Sequence, residues 1–180
     1  MGDTIMVDAP IARTAADTIR LERVLDASVE TLWRYLTQAG LRSQWFAGGD
    51  DIGGEGPLKL VFDHDKLSDG PVPTPEEYAA HRHGVNQEQV LRFEPQKVLA
   101  YTFGEGRNGV ATFELFPEGG KTRLVLTHSG IQSPTGATGF GSGWNSHLIV
   151  LQEKLAGRSV PDFWALHTRS RAAVGKALAA

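Results

Sequence analysis

Hydrophobic residues recur with two different periods in the first quarter of the chain. Residues 18–26 read TIRLERVLD, where apolar and charged positions alternate imperfectly, as is typical of a β-strand. Residues 29–36 instead place apolar side chains three and four positions apart, which predicts an amphipathic helix. A second short helical turn is predicted over residues 41–46, and it would present Trp45 and Phe46. A strand followed by two short helices is therefore expected at the start of the fold.

The middle of the chain is patterned for strands. Apolar and polar residues alternate in runs bounded by Gly, Pro or Asn, at residues 58–64, 85–93, 98–103, 110–116 and 122–129. Short links between successive runs predict an antiparallel meander. The irregular insertion at residues 65–84 is the exception, and loops of that length often act as lids.

Residues 139–155 combine glycines with a helical apolar stripe. The glycines at 139, 141 and 143 come first, and the stripe then consists of Trp144, Leu148, Leu151 and Leu155. The stripe predicts a long amphipathic helix that lies on the sheet, and the glycines predict a flexible entrance to it. A tryptophan in the first turn of such a helix either closes a core or forms the floor of a pocket.

Composition narrows the possible function classes. The chain has 180 residues, 41% of them hydrophobic, and a formal net charge of −3, which is typical of one globular domain with short tails. Mild acidity argues against a nucleic-acid partner, because that binding depends on basic surfaces. The sequence has no cysteine, which excludes disulfides, thiolate nucleophiles and cysteine-bound zinc. No apolar run approaches the ~18 residues of a membrane span, so no membrane partner is expected.

The chain is expected to divide into three segments. These are an N-terminal arm at residues 1–17, a ligand-binding domain at 18–157 and a C-terminal tail at 158–180. The arm lacks the basic start and the continuous apolar run of a secretion signal, which favours a cytoplasmic location. The tail carries Phe163 and Trp164, and we expect it to dock on the domain or on a dimer mate.

The order of these elements resembles the helix-grip fold of the START-like (SRPBCC) superfamily, and particularly the bacterial proteins similar to the C-terminal domain of the activator of Hsp90 ATPase (AHSA1-like). The resemblance covers roughly residues 18–157. It rests on ASVETLWRYLT and QWF (27–37, 44–46), EQVLRFEPQKVLAYTF (88–103), THSG (127–130) and GFGSGWNSHLIVLQEKL (139–155). It implies an α+β fold in which a curved antiparallel sheet of about six to seven strands wraps around a long C-terminal α-helix, with two short helices after the first strand.

The same resemblance implies a cavity between the sheet and the helix that binds a small hydrophobic or aromatic molecule, and it implies a part in a stress response. The candidate ligand-binding residues are Trp45, Phe46, Phe62, Arg92, Tyr101, Trp144, His147, Leu148 and Leu151. A purely structural role stays open for the aromatic residues in this set. Arg92 has a second possible placement, because an outward-facing arginine needs no carboxylate or anionic partner.

Histidines supply the candidate acid-base groups. His64, His128 and His147, with Arg92 or Tyr101, would serve a cyclase or dehydratase type of enzyme if two polar groups converge inside the cavity. The pair of histidines in residues 81–83 is too weak a signal for a metal site. No nucleotide-binding loop and no nucleophile elbow is present, so neither a cofactor nor a metal is expected.

Three functions remain as hypotheses. A non-enzymatic binding protein for a small hydrophobic ligand is favoured, and the cyclase or dehydratase type of enzyme is the first alternative. The second alternative is a protein-interaction module with a chaperone partner. Ile149 and Val150 lie off the apolar stripe and need a cover, which the tail would provide within one molecule or in a homodimer.

Overall fold

The computed structural model describes residues 4–180 of the chain. Its strands are β1 (Ile11–Ala15), β2 (Thr18–Leu25), β3 (Gly48–Gly49), β4 (Gly56–Asp63), β5 (His83–Glu94), β6 (Val98–Thr102), β7 (Val110–Glu118) and β8 (Lys121–Ser129). Its α-helices are α1 (Val29–Thr37), α2 (Ala39–Arg42), α3 (Pro134–Leu155) and α4 (Phe163–Ala179), and two 3₁₀-helices are η1 (His64–Leu67) and η2 (Glu76–His81).

The strands form a single antiparallel sheet in the order β1-β2-β8-β7-β6-β5-β4-β3. This arrangement confirms the predicted α+β helix-grip fold, with eight strands instead of six or seven. The additional strands are β1, which comes from the segment before Thr18, and the two-residue β3. The meander β4 to β8 follows chain order because each connection is short enough to form a hairpin, apart from the link between β4 and β5.

Helix α1 forms where the apolar spacing predicts it. The Ser28 hydroxyl accepts the amide hydrogen of Thr31 at 3.1 Å, which caps the first turn. The face that points to the sheet buries Leu32, Trp33 and Leu36. The short α2 follows at once and places Trp45 and Phe46 in the core.

Helix α3 begins five residues earlier than the glycine-rich stretch suggests, at Pro134. The Ser133 hydroxyl accepts the amide hydrogen of Gly136 at 3.0 Å and caps the helix. The prediction of a flexible glycine entrance is therefore wrong, since the glycines at 139, 141 and 143 all lie inside the helix. Every residue from 144 to 151 is buried, because the sheet covers one side of α3 and α4 packs along another.

The two ends of the chain pack onto this core. Strand β1 pairs with β2, and the Arg169 guanidinium on α4 donates to the carbonyl of Ile5 at 2.7 Å. Helix α4 docks on α3 of the same molecule, where Asn145 donates to the hydroxyl of Ser170 at 2.8 Å. Within the described part of the chain, neither α3 nor any other helix has the length and apolarity needed to span a bilayer.

Candidate functional site

A cavity of about 1030 Å³ lies between the sheet, α3, α4 and the segment that carries η1 and η2. Ligand pockets are typically concave spaces of ~300 to 1,000 Å³ with apolar walls and a few polar groups. This one is lined by aromatic rings and by imidazoles from five parts of the chain. Its size and lining fit a small molecule.

Glycines form part of the helical wall of this cavity. Gly139 and Gly143 both line it, and they lie four positions apart, on one face of α3. A Cβ atom added at either position would meet nothing within 4 Å, whereas one at Gly141 would lie 2.7 Å from Ile11 Cδ1. Gly141 thus permits close packing with the arm, while Gly139 and Gly143 leave the cavity wall without side chains.

Phe46 is at the centre of the aromatic lining. Its ring centroid lies 5.2 Å from that of Phe62, 5.0 Å from that of Trp144 and 5.4 Å from that of His147. Phe103 continues the wall, with its ring 5.4 Å from Trp144. Four of the nine predicted ligand-binding residues therefore line the cavity together, namely Phe46, Phe62, Trp144 and His147.

Four other predicted residues belong to the packed core and do not line the cavity. Trp45 is fully buried, and its indole nitrogen donates to the carbonyl of Tyr35 at 2.9 Å. Tyr101, Leu148 and Leu151 are also within the core, at no more than 1% exposure. Complete burial raises the pKa of the Tyr101 hydroxyl, which makes it a poor acid at neutral pH.

Arg92 lies on the outer face of the sheet. A bulge in β5 separates Val90, which pairs with Tyr101, from Arg92, which pairs with Ala100. The extra residue moves Arg92 off the inner face that strict alternation from Val90 would assign to it. Its guanidinium instead donates to Glu94 at 2.7 Å in an exposed ion pair, away from the cavity.

His128 is a structural histidine. Its Nε2 lies 2.6 Å from the carbonyl oxygen of Asn108, so Nε2 carries the hydrogen and donates it. Its Nδ1 accepts from the indole nitrogen of Trp144 at 2.9 Å. Both ring nitrogens are occupied, which leaves none for a substrate. Burial lowers the pKa of His128 and keeps the ring neutral.

His147 keeps one nitrogen available. Its Nδ1 lies 2.8 Å from the carbonyl oxygen of Trp45, and since a carbonyl only accepts, Nδ1 is the protonated nitrogen. No described residue bonds to Nε2, which is left as a hydrogen-bond acceptor on a ring that lines the cavity. Burial lowers the pKa of His147 to about 3, and the neighbouring His64 makes a smaller contribution in the same direction.

His167 on α4 was not among the predicted site residues, yet its ring lines the cavity. Its Nδ1 lies 2.9 Å from the Ser146 hydroxyl, which itself donates to the Ser142 carbonyl at 2.7 Å. Nδ1 of His167 therefore donates to Ser146, and Nε2 is again an acceptor. Burial, followed by the charge of Arg171, lowers the pKa of His167 to about 4.

The sequence pattern of α4 already indicated the face of this helix that lines the cavity. Four residues of α4 line the cavity at the spacing of one helical face, namely Phe163, Trp164, His167 and Arg171. Periodicity alone identifies such a face, although it does not show whether the face meets a cavity or a core. His64 joins the same group, since its ring lies 5.4 Å from His147 and 5.3 Å from Phe163.

The insertion at residues 65–84 covers the cavity beside α4. Within it, Tyr78 of η2 stacks on Trp164 with centroids 5.1 Å apart and planes 10° from parallel. Arg171 donates to the Tyr78 hydroxyl at 2.9 Å and lies 3.6 Å from Glu77. These contacts hold the insertion in the place that a lid would occupy.

A cluster of Asp63, Asp65 and His83 lies at the edge of the cavity region. His83 Nε2 is 3.1 Å from Asp65, and Arg82 donates to both oxygens of the same carboxylate. The Arg82 guanidinium lowers the pKa of Asp65 below its usual value. The cluster is explained as an exposed ion-pair group, because Arg82 already neutralises the carboxylate.

His81 lies in η2 and His83 in β5, so the two do not share a strand face.

Comparisons with known proteins agree with this fold. The family model described as Activator of Hsp90 ATPase homolog 1-like protein matches residues 26–156. A Bordetella parapertussis protein solved by solution NMR is 33% identical, covering 99% of this chain and 96% of its own, with a TM-score of 0.76. No curated protein matches the chain.

More distant structures share the fold alone. CalU16 from Micromonospora echinospora is 20% identical, covers 94% of this chain and 96% of its own, and has a TM-score of 0.64. The Aha1 dimer from Colwellia psychrerythraea is 18% identical, covers 77% of this chain and 95% of its own, and has a TM-score of 0.54. The matched family region ends before α4. The fold, the gripped helix and the match over most of the sequence together show that the chain belongs to the family of activator of Hsp90 ATPase homolog 1-like proteins.

Proposed function

We propose that the protein binds a small, predominantly aromatic molecule in the cavity between α3, α4 and the sheet. The observation that carries the proposal is the pair Gly139 and Gly143. A glycine inside a helix costs roughly 0.5 to 1 kcal/mol relative to alanine, and here an alanine Cβ would meet no neighbour. The helix therefore gives up stability where side chains would occupy the cavity, which is the expected trade-off at a binding site.

The chemistry of the histidines favours binding over acid-base catalysis. A general base works best when its pKa is close to the operating pH, and the pKa values of His147 and His167 are lowered to about 3 and about 4. Such rings accept hydrogen bonds at neutral pH but take up protons poorly. The Ser146 and His167 pair is not a nucleophile and base, because the Ser146 hydroxyl is buried and donates to a backbone carbonyl.

The proposal is tested by filling the cavity. We expect saturable, 1:1 binding of the neutral fluorescent probe N-phenyl-1-naphthylamine to the natural chain. In the double variant Gly139→Leu and Gly143→Leu, binding should be lost while the melting temperature stays equal or rises. Gly175→Leu on α4 is the matched control, because an added Cβ there also meets nothing within 4 Å and the residue does not line the cavity. Unchanged binding in the filled variant would overturn the proposal.

Location and partners stay predictions. A homodimer is proposed by analogy with the Aha1 dimer, which is 18% identical to this chain. Helix α4 covers α3 of its own molecule, so we propose that any dimer uses another surface. Light scattering of the full chain measures whether a dimer forms. A pull-down tests for a chaperone partner. The cytoplasmic location and a part in stress response are proposed on the family resemblance.

A further inference from the structure

We infer that the cavity selects an uncharged aromatic molecule that carries hydroxyl or N–H hydrogen-bond donors, and that His147 and His167 recognise those donors through their Nε2 atoms. The inference rests on the proposed function and adds the chemistry that the ligand must carry. Aromatic walls alone would accept any flat apolar molecule of suitable size. The two acceptors make the site selective.

The protonation of His147 is set by the backbone. The Trp45 carbonyl, 2.8 Å from Nδ1, requires a hydrogen on that nitrogen. A neutral imidazole has one donor and one acceptor nitrogen, so the lone pair is on Nε2. The ring lies between Phe46 and Phe163, at 5.4 Å and 5.2 Å between centroids, which holds its plane in place. A ligand donor would give Nε2 the hydrogen-bond partner that no described residue supplies.

The protonation of His167 is set by the Ser146 hydroxyl and the Ser142 carbonyl on α3. The Ser142 carbonyl accepts from Ser146, which leaves the Ser146 oxygen to accept from His167 Nδ1. Nε2 of His167 therefore has no hydrogen and no partner among the described residues. The ring packs against Tyr78 and Phe163, at 5.0 Å and 6.0 Å between centroids. Two different helices thus each contribute to the cavity lining an imidazole whose Nε2 no described residue binds.

The surroundings disfavour charged ligands. A carboxylate placed beside the two lone pairs would be repelled, and a cation would lose its hydration among aromatic rings. Arg171 also lines the cavity, but it donates to the Tyr78 hydroxyl and lies 3.6 Å from Glu77. Arg107, the other arginine of the lining, lies 3.1 Å from Glu105. Both charges are thus already compensated within the protein. Burial of both imidazoles keeps them neutral at pH 7, because it lowers the pKa of each ring.

Matched probes test the inference on the full natural chain. Isothermal titration calorimetry at pH 7.5 would compare naphthalene-2,7-diol, 2,7-dimethoxynaphthalene and 2-naphthoate. We expect the diol to bind roughly tenfold more tightly than its dimethyl ether, as one or two satisfied hydrogen bonds would give. We expect 2-naphthoate to bind more weakly than the diol.

Asparagine variants identify the atoms responsible. In His147→Asn and His167→Asn the amide NH₂ replaces Nδ1–H and keeps the bond to Trp45 or Ser146, while the Nε2 acceptor is lost. The preference for the diol over the ether should fall towards one in His147→Asn, and the ether should bind as before. Gln152→Asn, at an exposed position of α3 that does not line the cavity, is the control and should keep the full preference.

The outcomes separate the two proposals. If the natural chain binds the diol and the ether equally, or binds 2-naphthoate best, the inference about donors is wrong and the binding function stands. If the preference survives in both His147→Asn and His167→Asn, other atoms recognise the donor and the inference is again wrong. If no neutral aromatic probe binds at all, the proposed function itself fails. The comparison within the natural chain remains decisive even if a variant does not fold.

Discussion

Arg42 is a cation enclosed by backbone carbonyls. It is 1% exposed, and its Nε donates to Ala47 at 2.9 Å while Nη2 donates to Gly48 at 3.0 Å and Asp50 at 2.7 Å. Burial lowers the pKa of the guanidinium. The side chain ties α2 to β3, and α2 leads directly to the aromatic residues at the cavity.

Replacing Arg42 by methionine should destabilise the protein strongly. The variant leaves several buried carbonyls without a donor, and we expect a loss of about 3 kcal/mol in the free energy of unfolding. Urea denaturation followed by circular dichroism measures this loss. Arg34→Met, at an exposed site on α1, is the control and should change stability by roughly 0.5 kcal/mol or less. Equal losses in the two variants would show that the carbonyl cage contributes nothing.

Protonation of the buried histidines should make stability depend on pH. The pKa of His147 is about 3 in the folded state against 6.5 for an ordinary histidine, so the unfolded state binds more protons between these values. The contribution is fully present above pH 6.5 and is lost as the pH falls towards 3, with about 2 kcal/mol lost at pH 5. Its neighbours His64 and His167 are also held neutral by burial and act in the same direction.

Urea unfolding at pH 7.5 and pH 5.0 checks this dependence. The natural chain should lose stability at the lower pH, and His147→Asn should lose about 2 kcal/mol less, because asparagine does not titrate. Gln152→Asn, at an exposed site on α3, is the control and should lose as much as the natural chain. If His147→Asn and the natural chain lose the same amount, His147 is not held neutral by its burial.

At the scale of single residues, the sequence predicts which residues lie at the cavity better than it predicts which nitrogen of a histidine carries the hydrogen. Helical spacing predicted that His147 lies close to the Trp144 stripe, and the structure places both at the cavity. The protonated nitrogen depends on the Trp45 carbonyl, which is 102 positions away in sequence. Periodicity carries no information about such a contact. His128 shows the same limit, since its two partners lie on a loop and on α3.

Helices and strands were predictable where neighbouring residues in the sequence alone determine them. The strands of the meander and helix α1 follow from period and capping, and the structure confirms them. The start of α3 was placed too late because glycines usually end or interrupt helices, whereas here Ser133 caps the helix upstream of them. The bulge in β5 was not predictable either, because its cause is the pairing with β6.

The contacts of Tyr78 in η2 with Trp164 and Arg171 in α4 should control access to the cavity. Tyr78→Ala removes the stacking on Trp164 and the bond from Arg171. We expect faster hydrogen exchange in residues 64–82, faster probe association, and a change of at most a few degrees in melting temperature, because Tyr78 is only half-buried. Tyr35→Ala on α1, which does not line the cavity, should leave exchange in that segment unchanged. Unaltered exchange in Tyr78→Ala would show that the stacking does not hold the segment.

The whole molecule extends beyond the region that the family model matches. The matched region ends at residue 156, yet the segment after it provides one wall of the cavity and one cover of α3. A buried network crosses this boundary, in which Asn145 accepts from Arg23 and donates to Ser170. Helix α3 is therefore buried on more sides than a helix with one exposed face, and part of its buried surface is polar. The amphipathic stripe alone underestimated how much of α3 is buried.

Removing residues 158–180 should therefore prevent stable folding. The deletion takes away five buried apolar side chains, each 6% exposed or less, namely Val160, Phe163, Trp164, Leu166 and Val174. At about 1.5 to 3 kcal/mol for each, the loss of roughly 7 to 15 kcal/mol is comparable to the whole stability of a typical domain. We expect a chain without a cooperative melting transition, measured by circular dichroism. Deleting only residues 178–180 should leave the melting temperature within a few degrees. A truncated chain that still melts cooperatively would show that the family region folds alone and that α4 serves the cavity only.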